Sequence, residues 1–305
     1  MDFPRRIYPL GPPELTEEQL AVVFAMTSRD PRPFDEIAQV VTTEKAADFH
    51  ERWVVGYGHA SVAEHAVIHM AVENISRLAC DTLEDNRLAS YTEKSSRYQV
   101  LAQGCYHIPR ELEGHPLKQV YVNTCDSLFQ AYQEAVEKLQ AHLRQVRPRS
   151  EGERDSAYSL RLRREATDVC RFLLPAATLT NVGVTMNARS MEHAIRKLLS
   201  SDLSEEQEMG ELLKKESTRI TPTLIKYAYR NDYLVLSREG LQDQVRERET
   251  PSPQSDCRAE LVHYDPQAEV RLVTTLLYRL SRSPYQEVWQ RVERMGQKER
   301  EEVVH

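Results

Sequence analysis

Between Val67 and Leu83 the spacing of apolar residues changes from strand-like to helical, and this change constrains the fold more than any other feature of the chain. Ile68, Met70 and Val72 alternate with Val67, His69 and Ala71, the period of a half-buried strand. Ile75, Leu78, Ala79 and Leu83 then recur at helical spacing, so a helix capped by Asn74 is expected, ending at Asp85-Asn86-Arg87. A second strand-to-helix passage follows later. Thr178 to Met186 is rich in Thr and Val, and Asn187 is placed to cap a helix carrying Met191, Ala194, Ile195, Leu198 and Leu199.

Other segments fill in around these. Thr16 caps a helix running to Met26, with Glu17 and Glu18 in its first turn, and Thr43 opens another towards Val54. Ser61-Val-Ala-Glu64 reads as a capping box that starts a short helix. From Leu88 to Tyr98 no apolar period holds, and the small, hydroxylic and charged residues predict a loop able to bind something polar. Leu117 to Leu143 keeps helical spacing for about eight turns. The polar run Arg147 to Asp155 interrupts it, and a helix with Ala166, Val169, Cys170 and Leu173 leads to Pro175. Pro222 to Tyr229 is the last recognisable core element of a first domain, residues 1–230. Residues 231–260 read as a charged linker or loop, and 261–305 as a helical extension with a short strand at Leu261 to Tyr264 and helices from Gln267 to Leu280 and Tyr285 to Val304. That last helix lacks a C-cap signal, which leaves room for a further domain beyond it.

Composition removes several classes of function. With 47 acidic against 40 basic residues the net charge is −7, so a duplex-binding surface is not expected, and no nucleic-acid partner is assigned. Small anionic ligands stay open, because a nucleotide needs only a few well-placed arginines. Cys80, Cys105, Cys125, Cys170 and Cys257 are odd in number and form no C-x-x-C pair, which argues against a disulfide framework and a structural zinc site. No run approaches the ~20 apolar residues of a membrane span. A soluble, cytoplasmic protein without a membrane partner is expected.

Three clusters carry chemistry: Gly58-His-Ala-Ser-Val-Ala-Glu-His65, Arg87-Leu-Ala-Ser-Tyr-Thr-Glu-Lys-Ser-Ser-Arg-Tyr98, and Arg171-Phe-Leu-Leu-Pro175 followed by Asn187-Ala-Arg-Ser190. In order, spacing and residue type they resemble the flavin-dependent thymidylate synthases, the ThyX family, over roughly the first three quarters of the chain. The resemblance implies an α+β fold with a mixed or antiparallel sheet, long flanking helices and active sites where subunits of a homotetramer meet. It implies FAD as cofactor, NADPH and methylenetetrahydrofolate as co-substrates, and reductive methylation of dUMP to dTMP without a cysteine nucleophile. Flavin contacts carry over to Ser28, Ser61, Glu64, Arg87, Leu88, Glu93, Asn187, Arg189 and His193. Nucleotide contacts carry over to Glu93, Lys94, Ser95, Ser96, Arg97 and Arg171, with Arg87, Ser95, Arg97 and Arg171 as the catalytic set.

The residue types suit these roles: a phosphate takes cationic forks plus hydroxyl and backbone donors, and a flavin pairs an apolar ring with a diphosphate. The chain departs from the family pattern at Asp85 and Asn86, where the signature has Arg-His, at Leu198, where an arginine is usual, and at His193, where asparagine is. If the family geometry is kept, Leu198→Arg should restore a substrate contact. The alternative reading is a non-catalytic or half-catalytic flavin- or nucleotide-binding relative, or a methylase of another pyrimidine nucleotide. His59, Glu64, His65 and His69 show neither H-E-x-x-H nor H-x-x-E-H order, and a break is expected between His65 and His69, so no metal is assigned.

Overall fold

A strand marked by Thr and Val becomes the centre of the sheet. The computed structural model describes residues 8–11, 14–28, 30–246 and 261–304. In chain order they form α1 (Glu17–Met26), α2 (Phe34–Val40), α3 (Thr43–Phe49) with a π-helical continuation His50–Gly56, and a 3-10 turn Ala60–Glu64. Then come β1 (Val67–Ser76), α4 (Arg77–Glu84), β2 (Ala89–Glu93), α5 (Lys118–Val146), α6 (Asp155–Cys170), β3 (Leu179–Asn187) and α7 (Ala188–Leu199). The helices α8 (Ser204–Thr218), α9 (Pro222–Ile225) and α10 (Asp232–Arg246) complete this unit. β3 lies between β1 and β2, antiparallel to both, so the fold is the expected α+β arrangement with an antiparallel sheet and long helices.

Alternation decides which face of the sheet is buried. Ile68, Met70 and Val72 stand opposite Met186, Val184 and Val182, and Ala89, Tyr91 and Glu93 of β2 stand opposite the same three. Most of these side chains join one core with Leu83 of α4, Met191, Ile195 and Leu198 of α7, and Met209 of α8. Burying each large aliphatic side chain contributes about 1.5–3 kcal/mol. The other face, with His69, Thr185 and Ser90 in one row and Ala71, Gly183 and Thr92 in the next, carries polar and small residues. A second core joins α5 and α6 through Phe129, Tyr132, Val136, Leu162 and Ala166, and a third joins α1 to α3 through Val23, Ile37 and Ala46.

Several expected boundaries move. Asn74 caps no helix: β1 continues to Ser76, whose Oγ accepts the Ala79 N–H at 3.0 Å. Asn74 instead sits at a bulge between Glu73 and Ile75 with φ 58°, and the inserted residue is what gave Ile75 its helix-like spacing. The expected loop from Leu88 begins as β2, whose Ala89 and Tyr91 pack inward while Ser90 and Thr92 face out. Ser61 and Glu64 form no capping box, since the 3-10 turn has no side-chain cap and Glu64 pairs with Arg189. α3 does open at Thr43 as expected, with Thr42 as its cap accepting the Lys45 N–H at 3.3 Å.

The sequence reading assigned nothing to the stretch that forms α8. Where it expected a charged linker from 231, α10 is helical; residues 247–260 lie outside those described. Residues 261–264 form no strand. The single final helix is two, α12 (Tyr285–Arg294) and α13 (Gln297–Val304), broken at Met295 and Gly296. With the preceding α11 (Ala268–Tyr278) they form a separate small unit around Val273, Val288 and Val292. Among the described residues no helix is long and apolar enough to cross a membrane.

Candidate active site

The nucleotide set forms at the end of β2. Glu93, its last residue, is held by Arg77 at 3.0 Å, and Arg77 also donates to the Lys94 carbonyl at 3.4 Å. Lys94 N–H donates to the Asn181 carbonyl at 2.8 Å, which anchors the start of the turn to β3. Ser95 Oγ accepts the Arg97 N–H at 3.3 Å, and Ser95 O accepts the Tyr98 N–H at 3.3 Å. From α6, the Thr167 hydroxyl donates to the Arg97 carbonyl at 2.6 Å. That bond brings the turn against the helix that ends one turn later at Arg171. Arg97 is exposed and has no carboxylate partner among the described residues, whereas Arg171 meets Asp168 at 3.3 Å and leaves its Nε buried with no partner among them. Ser96 alone of the set is buried, with 7% exposure.

The flavin set gathers near the other end of the sheet. Ser28, Ser61 and Glu64 line a cleft of about 390 Å³ with Phe24, Phe49, Trp53, His59 and His65. Glu64 forms an ion pair with Arg189 on the first turn of α7. Asn187 Oδ1 accepts the Ser190 N–H at 2.8 Å, so this amide is committed to capping α7, as the sequence predicted. His193 is exposed one helical turn beyond Arg189. Arg87 and Leu88 precede β2, whose Ala89 stands opposite Met186, and Leu88 is 75% exposed. Arg87 and Leu88 thus lead into β2, and Glu93, which belongs to both sets, ends it about 13 Å further on at the strand rise.

The departures from the family pattern have structural partners. Asp85 pairs with Lys197, whose hydrogen bond holds the carboxyl below its ordinary range. Asn86 is buried and donates through Nδ2 to the Leu83 carbonyl at 2.7 Å. Leu198 is fully buried against Gly210, where a Cβ would come within 3.1 Å of the Leu198 Cβ. The expectation that arginine at 198 would reach a substrate is thus corrected: the position faces the core, and Arg196 is engaged by Glu192 at 3.2 Å. Burial pushes the Cys80 thiol up to about 12 and also raises Cys125 and Cys170, so these remain thiols at neutral pH. Among the described residues no three His, Cys, Asp or Glu side chains are grouped to hold a metal ion. His65 closes the 3-10 turn while His69 lies on β1 and bonds Thr185 Oγ1 at 2.9 Å.

Two residues that shape this site went unseen in sequence: Arg77, which holds Glu93, and Thr167, which ties the turn to α6. Both act on partners distant in the chain, so no local spacing signals them.

The larger unit is thus an α+β protein that carries a cationic turn at the end of β2 and an aromatic- and polar-lined cleft close to the start of α7. The profile of the family described as thymidylate synthase complementing protein matches residues 14–223, and the chain belongs to this family, that of the flavin-dependent thymidylate synthases. A UPF0159 protein of Chlamydia muridarum is 32% identical over 257 residues, covering 79% of this chain and 49% of the relative. A flavin-dependent thymidylate synthase of Clostridium tetani is 26% identical over 214 residues, covering 69% of this chain and 82% of its own. A crystal structure of ThyX from Helicobacter pylori, complexed with FAD and dUMP, overlaps 70% of this chain and 96% of its own with TM-score 0.46 and 17% identity. The chain spans about half the length of the first curated relatives it matches.

Proposed function

We propose that the protein is a flavin-dependent thymidylate synthase that converts dUMP to dTMP, with methylenetetrahydrofolate as carbon donor and NADPH as reductant. In this reading it works in the cytoplasm as a homotetramer whose active sites lie where subunits meet, with Glu93 serving both the flavin and the nucleotide. The observation that carries the reading is the 94–98 turn tied by Thr167 to the helix ending at Arg171, with the Arg97 guanidinium free of any carboxylate among the described residues.

The flavin residues fit the cofactor. Leu88 offers an exposed apolar surface beside Arg87, and Arg189 and His193 supply polar or cationic edges along α7. When bound, FAD supplies the hydride-transfer chemistry. This chain's residues then bind and orient: Arg97 and Arg171 grip phosphate, Ser95 adds a hydroxyl, and Glu93, steadied by Arg77, fixes the turn against β3.

In calorimetric titrations with FAD present, Arg97→Ala should weaken dUMP binding by roughly 1.5–3 kcal/mol, about ten- to a hundredfold or more. Light scattering should give a tetramer, and FAD fluorescence should be quenched on titration. A monomer that quenches no flavin, or equal dUMP affinity in wild type and Arg97→Ala, sinks the reading. One specific observation favours a second: with Leu198 in the core and Asp85 neutralised by Lys197, the usual cations near the substrate are missing, as in a non-catalytic or half-catalytic relative. NADPH oxidation and tritium release from labelled dUMP separate the two, because only the enzyme gives both.

A further inference from the structure

The acidic residues outnumber the basic ones in this chain, yet two arginines that crowd one tyrosine ring have no carboxylate partner among the described residues. The Arg164 guanidinium carbon lies 4.5 Å from the Tyr98 ring centroid, and that of Arg97 lies 5.7 Å from it. Other arginines close by are paired: Arg161 of α6 with Glu153, Arg171 just after α6 with Asp168, and Arg77 of α4 with Glu93. Like charges beside one another raise each other's energy, and an aromatic face offsets only part of that cost. An arrangement of this kind is completed by an anion.

The helix that presents Arg164 also fixes the turn that presents Arg97. Thr167, one turn after Arg164 on α6, donates to the Arg97 carbonyl at 2.6 Å, and Arg171 follows one turn later. Arg164, Thr167 and Arg171 therefore form a single stripe along α6 against which the 95–98 turn is seated. Tyr98, 46% exposed, keeps the Arg164 side chain beside that turn. The terminal oxygens of a phosphate monoester can accept from more than one guanidinium fork, so the group has room for a third arginine.

We propose that Arg164 is a further phosphate-binding residue of the nucleotide site, completing with Arg97 and Arg171 a three-arginine clamp in which Tyr98 positions the added guanidinium. The proposal rests on the nucleotide reading given above and extends it to a residue outside the motif. It implies that the site discriminates strongly for a phosphorylated pyrimidine nucleoside over the free nucleoside.

The test is calorimetric titration of wild type, Arg164→Ala, Arg164→Lys and Arg97→Ala, each with FAD, against dUMP and against deoxyuridine, with thermal midpoints measured in parallel. Arg164→Ala should weaken dUMP binding roughly three- to tenfold, with the thermal midpoint and the deoxyuridine affinity unchanged. Arg164→Lys should recover part of the loss, because it keeps the charge without the fork. If Arg164→Ala binds dUMP like wild type while Arg97→Ala is impaired, Arg164 has no part in the clamp and the nucleotide reading survives. Equal weakening towards dUMP and deoxyuridine would also overturn the proposal, since the effect would not depend on phosphate. Absence of dUMP binding by wild type overturns both.

Discussion

Leu198 belongs to the contact between α7 and α8 at the centre of the larger unit's core. It is fully buried on α7, and Gly210 of α8 approaches it so closely that a Cβ there would lie 3.1 Å from the leucine Cβ. A guanidinium placed at 198 would have to enter a packed contact between α7 and α8. Leu198→Arg is therefore expected to destabilise the protein by about 3 kcal/mol or more, the range set by burying an unpaired charge in a packed core. Urea denaturation followed by circular dichroism checks this. An unchanged midpoint together with tighter dUMP binding would mean that the helix turns to expose the position. By contrast Asp85, 74% exposed in its side chain, is tuned by its partner Lys197 more than by burial. Exchanging its charge for a cation would disrupt that pair while leaving the core intact.

At the scale of elements, Asn74 is where reading the period failed and where the backbone is most specific. Its φ of 58° lies in the left-handed region that asparagine tolerates and β-branched residues do not, and its N–H donates to Asn181 Oδ1 at 3.0 Å. Asn74→Gly should therefore change stability by only a few tenths of a kcal/mol, whereas Asn74→Val should cost about 1–2 kcal/mol. Equal denaturation midpoints for the two variants would remove the bulge from the account. The same comparison shows what was legible beforehand. Long amphipathic runs such as Leu117 to Leu143, and caps such as Thr16 and Asn187, act through neighbours in sequence, and each formed the expected helix. The bulge and the short strand β2 depend on pairing with distant residues, which no local period reports, whereas the break at Met295 and Gly296 is local, the Gly296 N–H donating to Glu299 Oε2 at 2.7 Å. The site divides in the same way. Ser95, Arg97 and Arg171 stood out by type and spacing, but Arg164 became a candidate only when Tyr98 and Thr167 placed it beside Arg97.

At the scale of the whole larger unit, one buried contact joins segments that are far apart in the chain, and it makes stability depend on pH. Glu18 on α1 is 6% exposed, and its Oε1 accepts the N–H groups of Thr223 and Leu224 at 2.7 and 3.1 Å, fastening the start of α9. The carbonyl of the same residue meets His50 Nε2 at 2.9 Å, where α3 passes into its π-helical continuation. His50 is fully buried, and its Nδ1 has no hydrogen-bond partner. Burial lowers its pKa below the ordinary 6.5, opposed by the Glu18 carbonyl and the Glu18 charge. The sign follows from linkage. Above pH 6.5 the ring is neutral in both folded and unfolded chains, and stability is unaffected; as pH falls below 6.5 the unfolded chain takes up a proton that the folded chain refuses, so stability declines. Each pH unit between the unfolded and folded values removes about 1.4 kcal/mol. Carboxylates held low by arginine, such as Glu153 at about 2 against an ordinary 4.5, act in a separate and more acidic window. Urea midpoints measured between about pH 7.5 and pH 5 should therefore fall for wild type and fall less for His50→Gln, which preserves a donor to the Glu18 carbonyl without a titrating ring. Identical slopes for the two proteins over that interval would show that another group sets the acid sensitivity.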